Sequence, residues 1–196
     1  MLLKKVSVGP FQCNCRLLIC PVTGEAGLLD PGDEPGKILR MLEQAEAELS
    51  KPIRLKYLLH THGHLDHIGA TRDVKSSKWP SSLIALHRGD EPLYLQLKMQ
   101  GNLFGIQYED PLPVEKYLED NEQIQIGQLK LTVLHTPGHS PGSVSIQLHQ
   151  DQQTQAKEAV FTGDTLFQGS VGRTDLWGAN GDQMFKSIRD RLLTLD

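Results

Sequence analysis

A seven-residue stretch of this chain, Thr61-His62-Gly63-His64-Leu65-Asp66-His67, contains three histidines and one carboxylate. Core packing does not require such a density of imidazole and carboxylate groups, which are the ligands of zinc, iron and manganese sites. The stretch follows the apolar run Tyr57-Leu58-Leu59, which predicts a buried strand. Residues two apart in an extended chain project to the same side, so His62 and His64 are placed to bind one ion. The pattern predicts a metal centre at the end of a strand.

Asp66 and His67 fall at the start of a predicted helix over 65–74 that aims them back at the same centre. Four ligands so close in sequence do not easily surround one tetrahedral ion, but they can serve two ions about 3.5–4 Å apart. The alternative is a polar, partly buried loop whose histidines only form hydrogen bonds. We expect two metal ions, with zinc as the first candidate and iron or manganese as alternatives.

Two later segments contain further candidate ligands. In the run 136–143, proline and glycine on both sides of His139 predict a loop that presents one imidazole at a strand end. The apolar run 159–161 predicts another buried strand, and it leads to Asp164 beside a glycine. A carboxylate at that position is placed to reach between two ions.

Apolar periodicity predicts an α/β chain. Strands are predicted in two runs within 6–20 and at 25–30, 57–59, 81–86, 123–126, 129–134, 144–148 and 159–161. Helices are predicted from Pro35 to about residue 49, over 65–74 and over 182–195, the last burying Met184, Phe185, Ile188, Leu192 and Leu193. Segment 88–113 lacks regular periodicity and is expected to form either a wall of the substrate pocket or a packed surface helix.

Composition narrows the class of protein. A length of 196 residues fits one domain, 1–196. A formal net charge of −4 and a pI near 6.1 offer no basic surface for nucleic acid. The apolar runs are shorter than a membrane span, and the first residues continue directly into a strand rather than a secretory signal. Three cysteines, an odd number, indicate reduced thiols, so we expect a cytoplasmic protein.

The stretch 62–67 resembles the HxHxDH signature of the metallo-β-lactamase-fold metallohydrolases, and the chain is most similar to their small glyoxalase II-like (hydroxyacylglutathione hydrolase-like) members. The resemblance runs from Val8 almost to the last residue, and the run 136–143 is similar to the third-histidine motif of that family. It implies a four-layer αββα sandwich with a metal cleft between two sheets. It further implies that Asp164 bridges the ions and that Asp30 supports the metal loop by hydrogen bonds.

The chain departs from the family pattern at two places. After the last helix the family continues into a Pro-Gly-His-Gly-like motif whose histidine completes the second metal site, so we expect this chain to lack the C-terminal end of the fold. Segment 169–176 is similar to segments of glyoxalase II-like proteins and of persulfide dioxygenases. Arg173 in that segment is a candidate to bind an anionic substrate group, or else forms a salt bridge with Asp175. The lysine and aromatic residue that bind glutathione in glyoxalase II are absent.

Three functions remain open. The first is a hydrolase in which His62, His64 and His139 hold one ion, Asp66 and His67 hold the other, and Asp164 joins them. A metal-bound hydroxide would then cleave a small-molecule thioester, of glutathione-like type, or a related ester, with Asp66 and Asp164 as catalytic residues. The second is a mononuclear iron persulfide dioxygenase with His62, His139 and Asp164 as ligands. The third is a non-catalytic metal-binding fragment. The oligomeric state is left open, and structural roles are expected for the remaining histidines, His60, His87, His135 and His149.

Overall fold

The structure is a computed structural model that describes residues 1–195; Asp196, the last residue of the predicted domain 1–196, lies outside the described residues. The first of its two main sheets has six strands in chain order: β1 (Leu2–Val8), β2 (Cys13–Ile19), β3 (Glu25–Leu29), β4 (Arg54–Leu59), β5 (Leu83–His87) and β6 (Lys116–Leu118). β1, β2 and β3 pair antiparallel, whereas β3, β4, β5 and β6 pair parallel. The carboxyl ends of β3, β4 and β5 therefore meet at one edge of the sheet.

The second main sheet has four antiparallel strands: β7 (Gln123–Ile126), β8 (Leu129–His135), β9 (Val144–Leu148) and β10 (Ala159–Phe161). Their order across the sheet is β10-β9-β8-β7. A two-stranded hairpin, β11 (Leu166–Phe167) and β12 (Ser170–Val171), follows the second sheet. The loops after β8 and β10 contain His139 and Asp164, so both candidate ligands lie just beyond strand ends.

The helices cover the outer faces of the sheets or follow the metal loop: α1 (Pro35–Leu49), α2 (Leu65–Ile68), α3 (Thr71–Ser77), α4 (Glu91–Leu95), α5 (Leu97–Leu103) and α6 (Gly181–Ser187). α6 continues as a π-helical turn over Ile188–Leu192. Segment 88–113 thus contains α4 and α5. Across residues 1–195 none of the helices has the length and apolar character that a membrane crossing requires.

Three separate apolar clusters show that the chain has four layers. Successive residues of β4 face opposite sides of the first sheet: Leu58 packs toward α1, whereas Leu59 packs against the second sheet. A third, smaller cluster lies between the second sheet and the last helix and contains Leu134, Met184 and Ile188. Apolar packing in three interlayer spaces confirms the predicted αββα sandwich.

The structure corrects two helix predictions. The single helix predicted over 65–74 is wrong, because the chain breaks at Gly69 and Ala70 into α2 and α3. At this break the Ala70 amide donates to the Pro31 carbonyl (2.9 Å), and a Cβ at Gly69 would lie 2.5 Å from the Gly32 carbonyl oxygen. The loop after β3 therefore interrupts the helix.

In the predicted C-terminal helix, Met184, Ile188 and Leu192 are buried as expected. Phe185 and Leu193, also predicted to be buried, are 64% and 70% exposed. At about 100° per residue, Phe185 and Leu193 point well away from the side of Met184, so the buried face of this helix is narrower than predicted.

Candidate metal centre

Three imidazoles converge where the loop after β4 meets the loop after β8. His62 and His139 are buried and His64 is half-buried. One ring nitrogen from each lies within 4.8 Å of the others, and His64 Nδ1 is 2.9 Å from His139 Nε2. Nitrogen atoms this close either share a proton or are suited to bind one cation. The structure therefore brings together the three residues that were predicted to hold the first ion.

A second ligand group adjoins the first. His62, His67 and Asp164 each offer one ligand atom, and these atoms lie within 4.8 Å of one another. His67 Nε2 is 3.2 Å from Asp164 Oδ1 and 3.4 Å from Asp66 Oδ2. The other Asp164 oxygen, Oδ2, is 3.8 Å from His139 Nε2. The two oxygens of Asp164 thus face different groups, which is the arrangement expected of a bridging carboxylate.

The donor set fits a metal ion. His62 Nε2 is buried without a hydrogen-bond partner among the described residues, and an unpaired buried polar atom is costly unless something else satisfies it. Burial lowers the pKa of His62 well below its ordinary value and that of His64 to about 4, so both rings stay neutral with a lone pair available. Burial would raise the pKa of Asp164, but the hydrogen bond to His67 holds it below the ordinary value, which keeps the carboxylate ionised.

Backbone and side-chain acceptors fix which nitrogen of two rings faces the centre. His139 Nδ1 is 2.9 Å from the Arg173 carbonyl oxygen, and because a carbonyl only accepts, this nitrogen carries the proton. His67 Nδ1 is likewise 3.1 Å from Asp30 Oδ2. His139 Nε2 therefore keeps a free lone pair that points to the ligand groups. His67 Nε2 donates to the Asp164 carboxylate, and a bound metal ion would replace that proton.

Asp30 supports the metal loop, as the family resemblance implied. Its carboxylate accepts hydrogen bonds from the backbone amide and the hydroxyl of Thr61, both at 2.8 Å, in addition to its contact with His67. The residue lies at the end of β3 with φ of 50° and is 5% exposed. It therefore connects Thr61, the residue before the HxHxDH stretch, with His67, the last residue of that stretch, and limits how far they can separate.

The sequence analysis missed Asp90, which joins the two loops that carry the histidines. This fully buried carboxylate accepts from the Gly63 amide (2.8 Å), the Gly142 amide (2.6 Å) and the Ser140 hydroxyl (2.6 Å). Asp90 lies three positions after His87, the last residue of β5, at the edge where the metal loop also begins. A carboxylate just beyond a parallel strand of this sheet was the signal that could have identified it.

Gln100 of α5 was also missed, and it orients the start of α2. Its Oε1 accepts from the Leu65 amide (2.9 Å), and its Nε2 donates to the carbonyls of Gly63 (3.1 Å) and Leu93 (2.8 Å). A buried amide with three partners aligns the turn between His64 and Asp66. Segment 88–113, predicted as a pocket wall or a packed helix, therefore also supports the metal loop.

Arg173 contacts the centre through its backbone, and its side chain points elsewhere. The guanidinium forms two hydrogen bonds with the Asp175 carboxylate, at 2.7 and 2.9 Å, and both side chains are more than 60% exposed. This is the salt bridge considered as the alternative in the sequence analysis. A direct role of Arg173 in substrate binding stays a prediction.

The four remaining histidines belong to neither ligand group of the described chain. Burial lowers the pKa of His60 to about 4, and this ring lies 3.3 Å from the Thr71 hydroxyl. His87 and His135 stack with ring centroids 4.1 Å apart, and His149 Nε2 is 2.7 Å from the Thr132 hydroxyl. These contacts agree with the structural roles predicted for them.

A groove of about 430 Å³ opens directly onto the ligands. His64, Asp66, His139 and Asp164 line its floor. Its walls come from the β1–β2 turn, from α4 and α5, and from segment 173–177. Phe11 and Phe104 close one side as an edge-to-face pair with centroids 5.1 Å apart.

Comparison with known proteins gives one family. Residues 8–196 match the family model described as metallo-beta-lactamase superfamily. The hydroxyacylglutathione hydrolase GloC of Haemophilus influenzae is 33% identical over 192 residues, which cover 97% of this chain and 84% of GloC. Among solved structures, BLEG-1 B3 metallo-beta-lactamase superposes with a TM-score of 0.83 at 32% identity, covering 100% of this chain and 87% of that one. TTHA1623 in a di-iron-bound form gives a TM-score of 0.80 at 36% identity, covering 98% and 87%.

Proposed function

The chain belongs to the metallo-β-lactamase superfamily, and on that basis we propose that it is a binuclear metallohydrolase that cleaves a small-molecule thioester or related ester. The observation that carries this proposal is the position of Asp164, whose two carboxylate oxygens face the two histidine groups. The relationship to a hydroxyacylglutathione hydrolase supports a thioester as the scissile group. Zinc is the first candidate metal, and the di-iron form of TTHA1623 supports iron as an alternative.

We assign the ligands as the sequence analysis predicted them; in the structure the second group consists of His62, His67 and Asp164, and Asp66 adjoins it through His67. His62, His64 and His139 would hold one ion, His67 and Asp66 would hold the other, and Asp164 would contact both. Bound divalent ions would lower the pKa of a coordinated water toward neutrality and would polarise the substrate carbonyl.

The protein's own groups orient these ligands before the substrate arrives. The Arg173 carbonyl holds the proton of His139 on Nδ1, which leaves its Nε2 unprotonated. The Asp30 carboxylate accepts from His67 Nδ1, so only the Nε2 proton of His67 would have to leave when a metal ion binds. Asp90 and Gln100 hold the loops at fixed separation through buried hydrogen bonds. Such preorganisation means that little rearrangement is needed during the reaction.

Asp66 is the group that we assign to proton transfer. Its carboxylate lines the groove beside His67, and although burial would raise its pKa, the hydrogen bond to His67 keeps it below the ordinary value. In hydrolysis the water oxygen bonds to the carbonyl carbon and the carbon–sulfur bond breaks. A carboxylate oxygen of Asp66 takes the proton from the attacking water. The departing thiolate is a good leaving group and needs no strong general acid.

A direct test is thiol release from S-lactoylglutathione and from a simple acyl thioester by protein loaded with zinc, iron or manganese. We expect turnover with at least one metal, and loss of both metal and turnover in His62→Ala. His149→Ala is the matched control, because this histidine lies outside both ligand groups. Metal-loaded protein that cleaves neither class of substrate contradicts the proposal.

A second candidate function rests on the set His62, His139 and Asp164. Two histidines and one carboxylate form the ligand set of mononuclear iron oxygenases, and Asp164 Oδ2 lies 3.8 Å from His139 Nε2. Oxygen uptake with glutathione persulfide by the iron-loaded protein, together with no thioester cleavage, favours this persulfide dioxygenase activity. If neither activity accompanies bound metal, the chain is a non-catalytic metal-binding module.

A further inference from the structure

The walls of the groove above the metal centre are unusually apolar for an exposed surface. Five large apolar side chains line it while remaining widely exposed, from 46% for Phe11 to 77% for Leu103; the others are Met99, Phe104 and Trp177. Isolated exposed apolar residues are common, but a contiguous set around a concave site marks a ligand surface.

Remote parts of the chain build this apolar wall together. Phe11 comes from the turn between β1 and β2, Phe104 follows α5, and Trp177 lies after the second sheet. The edge-to-face contact of Phe11 with Phe104 joins the first two segments. These residues share the groove with His64 and Asp164. A substrate group bound there would therefore belong to the part of the molecule next to the bond that the centre would cleave.

The charges of the groove disfavour one class of partner, an anionic glutathione moiety. Among the described residues that line it, Arg173 is the only lysine or arginine, and its guanidinium is already paired with Asp175 at 2.7 and 2.9 Å. The acidic residues on the floor are Asp66 and Asp164, which are assigned to the metals. A glutathione moiety carries two carboxylates, and this groove offers no unpaired cation to either.

We propose that the groove binds an uncharged apolar part of the substrate, so that the enzyme prefers thioesters of medium-length or aromatic acyl groups to glutathione thioesters of small hydroxy acids. This inference rests on the proposed hydrolase function and specifies its substrate class. An acyl chain that lies along Phe11, Leu103 and Trp177 removes both its own surface and theirs from water.

Kinetics with a homologous series test the preference. Metal-loaded protein is assayed with N-acetylcysteamine thioesters from acetyl to octanoyl, and with S-lactoylglutathione. We expect kcat/KM to rise about two- to fourfold per added methylene, the value for partial to full burial of that group, and the octanoyl thioester to exceed S-lactoylglutathione. Leu103→Ser lowers the octanoyl-to-acetyl ratio of kcat/KM about threefold or more. Leu95→Ser, a 58% exposed leucine outside the groove, leaves that ratio unchanged.

Binding without catalysis gives an independent readout. Trp177 lies in the groove and Trp79 is buried, so a non-hydrolysable S-octyl thioether of N-acetylcysteamine changes the fluorescence of Trp177 alone. We expect it to bind at least about tenfold more tightly than the S-ethyl analogue, and the signal to disappear in Trp177→Phe.

The outcomes of these experiments distinguish a failure of the proposed hydrolase function from a failure of the proposed apolar substrate groove. Thioester cleavage with no chain-length trend, or with S-lactoylglutathione preferred, overturns the apolar preference and leaves the hydrolase intact. Tight S-octyl binding without cleavage of any thioester contradicts the hydrolase and supports the apolar groove. Equal binding of the S-ethyl and S-octyl compounds overturns the groove assignment.

Discussion

Oδ2 of Asp90 lies 2.8 Å from the backbone nitrogen of Gly63, 27 positions away in the chain. The same oxygen accepts from Ser140 and the other accepts from Gly142, so one buried carboxylate holds both histidine loops. Position 142 has no space for a side chain larger than that of glycine, because a Cβ at Gly142 would lie 2.5 Å from the Asp90 amide nitrogen. The separation of the His62 and His139 loops thus depends on a residue that is not itself a candidate ligand.

Replacing Asp90 with asparagine tests this positioning role. The new NH2 group would face either an amide or a hydroxyl that needs an acceptor, so we expect the free energy of unfolding to fall by about 1–3 kcal/mol. Metal affinity should fall about 10–100-fold, as for other residues that orient ligands. Denaturant unfolding and metal titration measure the two effects. Asp110→Asn, at an exposed aspartate paired with Lys98, is the control and should change neither. Wild-type metal affinity in Asp90→Asn would refute the role.

Asp175→Asn tests whether the salt bridge keeps Arg173 from substrate. Both side chains are exposed, and an arginine guanidinium is protonated at any ordinary pH, so Arg173 stays charged after its partner is removed. We expect kcat/KM for S-lactoylglutathione to rise about two- to fivefold, in proportion to the modest strength of an exposed pair. The gain should vanish at high salt and in the double variant with Arg173→Gln. No gain at low salt would mean that Arg173 does not reach an anionic substrate.

Glu25 is predicted to make stability depend on pH through a contact between the two sheets. Its Oε2 accepts from the Gly127 amide (2.6 Å) and its Oε1 from Arg54 (2.7 Å). Burial would raise the pKa of Glu25, but the Gly127 amide and the charges of Lys56 and Arg54 hold it below the ordinary 4.5. A depressed carboxyl pKa stabilises the folded state above the unfolded value, and this stabilisation is lost as pH falls through the folded pKa.

We therefore expect Glu25→Gln to lower the free energy of unfolding by about 1 kcal/mol at pH 7. The difference from wild type should shrink as pH falls from 4.5 through the lower folded-state pKa of Glu25, because the wild-type side chain becomes protonated over that range. Urea unfolding at several pH values measures this difference. Loss of bound metal at low pH lowers the stability of both proteins alike and therefore cancels in the difference. A difference that grows toward acid pH would reverse the predicted sign.

Local patterns predicted most of the strands and the residues that form the ligand groups. The regions around 62–67 and 136–143 have unusual local composition, and β7, β9 and β10 occur at the residues that periodicity indicated. The break of the helix at Gly69 was not predictable in this way, since it depends on hydrogen bonding to Pro31. Asp90 and Gln100 were missed for the same reason, because their partners are distant in sequence and ordinary in type.

Elemental analysis of the purified full chain, together with its Asp164→Ala variant, tests the binuclear centre most directly. We predict about two metal ions per wild-type chain, since the two ligand groups share a bridging carboxylate. Asp164→Ala should lose metal from both groups and lose turnover, whereas Asp190→Ala, at an aspartate outside the ligand groups, should retain both. A wild-type chain without bound metal, or an Asp164→Ala variant with full metal content and activity, would contradict the account.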